Sequence, residues 1–127
     1  MGELQTALEN MFGAFERGDV DALTAAVATD AQGVDEISRK WMRGGDEVRA
    51  YLRQLVTMVS DVKTVVTDGH EIINGDEGLL TCWLEQDYTV DGATQHVSAP
   101  TTVIFTREQG GWWFSLFHSI PRPPDEG

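Results

Sequence analysis

The sequence has one cysteine, three histidines, and nine lysines and arginines against 21 aspartates and glutamates in 127 residues. Each scarcity closes off a class of function. A single thiol, Cys82, makes no intramolecular disulfide, and histidines at 70, 96 and 118 offer no zinc-type spacing, so no metal and no other cofactor is expected. The formal charge of -12, with a pI near 4.4, repels phosphates and anionic lipid over a Debye length of about 10 Å. Nucleic acid and membrane surfaces are therefore not expected partners. No apolar run approaches the roughly 18 residues of a membrane span. The opening MGELQTALENMFGAFERGD puts acids where a signal peptide has bases, so the cytoplasm is the expected compartment.

What remains is an ordinary apolar fraction, 41%, in a chain long enough for one unstapled core. One domain is expected over 1–121, with 122–127 a disordered tail. Leu4, Ala7, Leu8, Met11 and Phe15 recur at helical spacing, and Gly18 ends that helix. Asp19 is an N-cap, and Val20, Leu23, Ala26 and Val27 supply a second, shorter helix fading by Thr29. Ala31 to Met42 has no clear period, with a short strand expected around Gly33 to Ile37. Gly44-Gly45-Asp46 opens a third helix whose stripe is Val48, Leu52, Leu55, Val56 and Val59. From Ser60 the texture turns β-branched and aromatic, broken by turns at Asn74-Gly75-Asp76, Asp91-Gly92 and Gln109-Gly110-Gly111. The reading is α+β: three N-terminal helices packed on an antiparallel sheet.

Asp91-Gly92 signals a two-residue hairpin and so fixes a register. Val90 should pair with Ala93, Asp87 with His96, Glu85 with Ser98, Trp83 with Pro100 and Cys82 with Thr101. Alternation then gives a helix-facing surface carrying Leu80, Cys82, Leu84, Gln86, Tyr88, Thr101, Trp112, Phe114, Leu116 and His118. The opposite surface carries Trp83, Trp113 and Phe117, more exposed aromatic area than a monomer carries comfortably. A homodimer through that face is expected.

"FERGDVDALTAAV", "GGDEVRAYL" and "GGWWFSLFHSIPRP" together resemble the SnoaL-like branch of the NTF2-like superfamily, the relatives of nuclear transport factor 2 and ketosteroid isomerase, over Leu4 to Pro121. The resemblance implies a cone in which a strongly curved sheet wraps the helices around an apolar pocket, commonly dimeric through the outer sheet face. Its members include isomerases, polyketide cyclases, dehydratases and epoxide hydrolases. The isomerase pattern wants a carboxylate near the end of the first strand, which Asp35 or Glu36 matches, and a tyrosine donor; helix one has no tyrosine, and Tyr51 and Tyr88 lie elsewhere than that pattern puts one. The epoxide hydrolase relay of aspartate, arginine and aspartate is not found. The dehydratase pattern of two histidines and a carboxylate leaves only His118 on the inner face. Trp112 and His118 match a texture of the closing strand.

The catalytic candidates are therefore His118 as acid or base, Asp35 or Glu36 as a second titratable group, and Tyr51 or Tyr88 as donor to an oxyanion. The plainer reading of His118 is a core imidazole bonding a backbone carbonyl or Thr101. A small apolar or polycyclic ligand would lie among Trp41, Tyr51, Leu55, Met58, Cys82, Leu84, Gln86, Tyr88, Thr101 and Trp112, unless these are plain core. Cys82 reads as a buried, inert thiol, and Asp87 with His96 as a cross-strand charge pair on a solvated or interfacial face. The expected function is small-molecule binding with cofactor-independent isomerisation, cyclisation or dehydration; the alternative is a non-catalytic ligand-binding or dimerisation module.

Overall fold

The computed structural model describes residues 2–35 and 37–120; Glu36 and the tail from 121 lie outside the described residues. Helix α1 spans Glu3–Arg17, α2 Val20–Ala25 and α3 Gly45–Met58. Strands β1 (Val27–Val34) and β2 (Met42–Arg43) lie between α2 and α3, and β3 (Val59–Asn74), β4 (Glu77–Val90), β5 (Ala93–Glu108) and β6 (Gly111–Ser119) follow.

Helix ends obey the local chemistry. Gly18, at φ 69°, closes α1 by donating its N–H to Ala14 and Phe15, and Asp19 caps α2 by accepting from the Ala22 N–H at 3.2 Å. Gly2 has no side chain with which to cap α1. The cap comes instead from β3, where Glu71 accepts from the N–H groups of Leu4 (3.1 Å) and Gln5 (2.9 Å). Helix α2 stops at Ala25, short of the expected Thr29, because the β-branched Val27 is recruited into β1 and the Ala26 carbonyl accepts from Phe114 on β6. The strand expected around Gly33 to Ile37 accordingly starts earlier and ends at Val34.

The sheet order is β2-β1-β6-β5-β4-β3. The β3–β6 meander is antiparallel, and β1 joins it parallel to β6, so the complete sheet is mixed. The hairpin register deduced from Asp91-Gly92 is the one observed, from Val90 opposite Ala93 through Asp87 opposite His96 to Cys82 opposite Thr101. Bulges interrupt β3 between Ser60 and Lys63 and between Thr67 and His70, and Asp61 and Asp68 both take φ 53° there. Such extra residues bend and twist a strand, which lets a 16-residue strand curl around α1. Leu4, Leu8, Leu23, Val27, Leu80, Leu84, Val103 and Phe105 are fully buried between the helices and the concave face. Packing at this seam is close: a Cβ on Gly78 would sit 2.7 Å from Leu4 Cδ1.

A third bulge changes the face assignments. Phe105 opposes Phe114 and Ile104 opposes Leu116, leaving Ser115 unpaired, with its hydroxyl donating to the Ile104 carbonyl at 3.2 Å. Alternation has period two, so one extra residue exchanges the faces beyond it. Phe117 and Ser119 consequently point inward and His118 and Leu116 outward, the reverse of strict alternation.

Candidate active site

The concave face and helices enclose an apolar cavity of about 90 Å³. Phe12 and Phe15 of α1, Tyr51, Leu52 and Leu55 of α3, and Phe114 and Phe117 of β6 form much of its wall. Phe117 meets Phe12 and Phe114 edge-on, with ring centroids 6.2 and 6.5 Å apart. Asp35, Ile37, Leu52 and Val62 are half-buried, so the cavity reaches solvent on their side.

Polar groups are few and placed. Asp35 follows β1 directly, and its Oδ1 accepts from the N–H groups of Ile37 (3.0 Å) and Ser38 (2.8 Å), which closes a turn around the carboxylate. The Tyr51 hydroxyl, carried by α3, donates to the same carboxylate at 2.9 Å from Oδ1 and 3.1 Å from Oδ2. Gln86 and Tyr88 stand on β4, with the Gln86 amide donating to Thr64 Oγ1 at 3.1 Å. Ser119 is buried on the wall and shares a 2.9 Å hydrogen bond with Thr101.

Of the residues expected around a ligand, Asp35, Tyr51, Leu55, Gln86 and Tyr88 meet in this cavity. His118 does not. The Ser115 bulge turns it to the outer face, where its ring stacks on Trp41 at 5.9 Å and Arg43 covers the same indole at 5.4 Å. Trp41, 42% exposed, therefore belongs to an outer stack, and Met58 is equally exposed. Cys82 and Leu84 are packed into the core, and Thr101 is buried behind Ser119. Burial and the charge of Asp68 raise the Cys82 thiol pKa to about 11. Trp112 lies at the far end of β6, its indole donating to Glu3 and its ring under the Arg107 guanidinium. Phe117, expected on the outer face beside Trp83 and Trp113, is a wall of the cavity instead. Ser119 and Phe15 were missed as lining residues. Phe15 was visible in the stripe of α1, whereas nothing in strict alternation could have turned Ser119 inward.

The outer face has its own order. The register brings Ile72, Leu79, Ile104 and Leu116 into one apolar row across four strands, and His70, Thr81, Thr102 and His118 into the next. Farther along, His96 lies between Asp87 (Nδ1 to Oδ1, 2.6 Å) and Glu85 (Nε2 to Oε1, 3.3 Å), and its pKa is raised, chiefly by the Asp87 hydrogen bond. Among the described residues no cluster of three or more histidines, cysteines or acids is arranged to hold a metal, and no helix is long and apolar enough to cross a membrane.

Helices held in a curled, unclosed mixed sheet, with an apolar cavity and an acid–phenol pair in its wall, define an α+β small-cavity fold of the NTF2-like class. The chain belongs to the SnoaL-like domain family, whose model matches residues 4–122. Similar structures include a candidate dehydratase of the NTF2-like family from Streptomyces avermitilis (TM-score 0.85, 20% identity, 96% of each chain covered). Another is a ketosteroid isomerase-like protein from Erwinia carotovora atroseptica (TM-score 0.77, 17% identity, covering 96% of this chain and 95% of that one). A third is a candidate calcium/calmodulin-dependent protein kinase II association domain from Xanthomonas campestris (TM-score 0.83, 17% identity, covering 97% and 88%). No curated protein matches the chain. At these identities the likeness establishes the fold, and fold alone does not decide function.

Proposed function

We propose that the chain binds a small, mainly apolar carbonyl compound in the cavity and moves a proton on it without a cofactor. The observation that carries this reading is the Asp35–Tyr51 pair on an otherwise apolar wall. Two backbone N–H groups and a phenol hold the carboxylate in one orientation, so it meets a bound ligand with little reorganisation. Among the described residues Oδ1 accepts three hydrogen bonds and Oδ2 one, which makes Oδ2 the more available base. Taking a proton from the carbon beside a carbonyl produces an enolate; returning it at another carbon is an isomerisation, and expelling a β-hydroxyl as water is a dehydration. Tyr51, already sharing its proton with Asp35, is placed to supply the acid for that leaving group.

The enclosed volume, about 90 Å³, is below the ~150 Å³ of a cavity that admits benzene, so any ligand from a single-ring ketone upward would extend through the solvent side. Deuterium exchange tests the reading without the natural substrate. Wild-type protein in deuterated buffer should speed loss of the α-protons of cyclohexanone, followed by NMR, and Asp35→Asn should remove about a hundredfold or more of that acceleration. Equal acceleration by both proteins would refute the assignment.

The row of Ile72, Leu79, Ile104 and Leu116, with Trp83 on the same face two rows farther along β4, supports a second reading. In it the outer face covers a second copy of the chain and the protein is a non-catalytic dimeric module. Both readings are compatible with a homodimer; only the exchange experiment separates them.

A further inference from the structure

Strands β1 and β6 run parallel through Gly33 opposite Phe117 and Val34 opposite His118. One residue farther along each chain come Asp35 and Ser119, and both line the cavity. Neighbouring strands are about 4.8 Å apart, so the backbones of these two cavity-lining residues lie close together at the C-terminal ends of β1 and β6. Ser119 is 7% exposed and Thr101 3%, which keeps water from competing for their hydrogen bonds.

Thr101 has one hydroxyl hydrogen and two acceptors in reach, the Ala99 carbonyl at 3.2 Å and Ser119 Oγ at 2.9 Å. When Thr101 donates to Ser119, the serine hydrogen is free to be donated to another acceptor; when it donates to Ala99, Ser119 can donate to Thr101 instead. The pair can therefore present a donor when a ligand oxygen arrives and satisfy itself when none is there.

We infer that Ser119 holds the ligand's carbonyl oxygen while Asp35 takes the adjacent proton, with Thr101 as the positioning residue behind it. This rests on the proton-transfer reading above. In the step, the C–H electron pair forms the carbon–carbon double bond of the enolate, the carbonyl π pair moves onto oxygen, and the proton goes to Asp35. The oxygen anion then draws a stronger hydrogen bond from Ser119 than the neutral carbonyl did, so the contact favours the transition state. Returning the proton from Asp35 to carbon closes the cycle with no oxidant or co-reactant. The preferred ligand has a carbonyl and an enolisable carbon at one end of an apolar body.

The test compares cyclohexanone with methylenecyclohexane, which keeps the ring shape and lacks the oxygen. NMR titration should show wild-type protein preferring the ketone. Ser119→Ala should lose about five- to tenfold in ketone affinity and leave the hydrocarbon unchanged, the hydrocarbon serving as the check on folding. Thr101→Val should reproduce much of that loss, and Thr101→Ser should restore wild-type behaviour. Asp35→Asn should keep the ketone preference and lose α-proton exchange. An unchanged preference in Ser119→Ala, or an equal loss for both ligands, overturns the role of Ser119. Wild-type exchange without ketone preference overturns it too and leaves the proton-transfer reading standing; absence of exchange removes both.

Discussion

The Asp35–Tyr51 hydrogen bond predicts a measurable coupling between the two positions. A hydrogen bond to an ionised group contributes about 1.5–3 kcal/mol, and both residues are half-buried, so solvent screening brings the expected figure to about 1 kcal/mol. Tyr51→Phe removes the hydroxyl and keeps the ring against Leu55. Asp35→Asn keeps the shape, and its carbonyl oxygen can still accept from Ile37 and Ser38, so the turn survives. Each single variant should lose roughly 1 kcal/mol, about 3–6 °C in melting temperature for a domain of this size. The double variant should lose clearly less than the sum, because the second change removes a partner already gone. Urea unfolding at pH 7 and fixed protein concentration, followed by fluorescence of the four tryptophans, supplies the four free energies. Additivity within about 0.3 kcal/mol would mean the contact has no energetic content and would remove Tyr51 from the account of how Asp35 is held.

The reversed faces of β6 predict contrasting variants: His118→Ala should leave cyclohexanone binding unchanged, whereas Phe117→Ala should cost about 2–3 kcal/mol of stability and widen the cavity. Ketone affinity lost in His118→Ala would contradict the bulge at Ser115. For His96, whose folded pKa lies above its unfolded value, the associated stabilisation is present at low pH and is lost as pH rises through the folded pKa. NMR titration should give a midpoint above that of an ordinary histidine, lowered more by Asp87→Asn than by Glu85→Gln, and a midpoint indifferent to Asp87→Asn would break the assignment. If the outer face joins two copies, Trp83→Glu should shift the protein toward monomer in size-exclusion chromatography, and an unaltered elution position would argue against that interface.

Local chemistry was legible in the sequence. The stripe of α1, the glycine that ends it, the aspartate that caps α2 and the Asp91-Gly92 turn act over a few residues, and each has the effect its own chemistry requires. The inner face of β4 followed from one turn because period two carries a register along uninterrupted strands. Asp35 and Tyr51 were recognisable as candidates, yet their meeting was not, since residues 16 apart in sequence come together only when α3 packs across the end of β1.

By itself, then, the sequence determined the α+β class, the order of its main helices and strands, the β4–β5 register and a strongly negative net charge. Tertiary structure alone decided which residues of the closing strand face the cavity. A single unpaired residue, Ser115, with its hydroxyl on the Ile104 carbonyl, exchanges two faces that alternation had assigned. It puts Phe117 and Ser119 on the wall of the cavity that Asp35 also lines and sends His118 to a tryptophan on the outside. The reason is physical: a bulge is stabilised by the curvature of the whole sheet, whereas its sequence is an ordinary serine between a phenylalanine and a leucine.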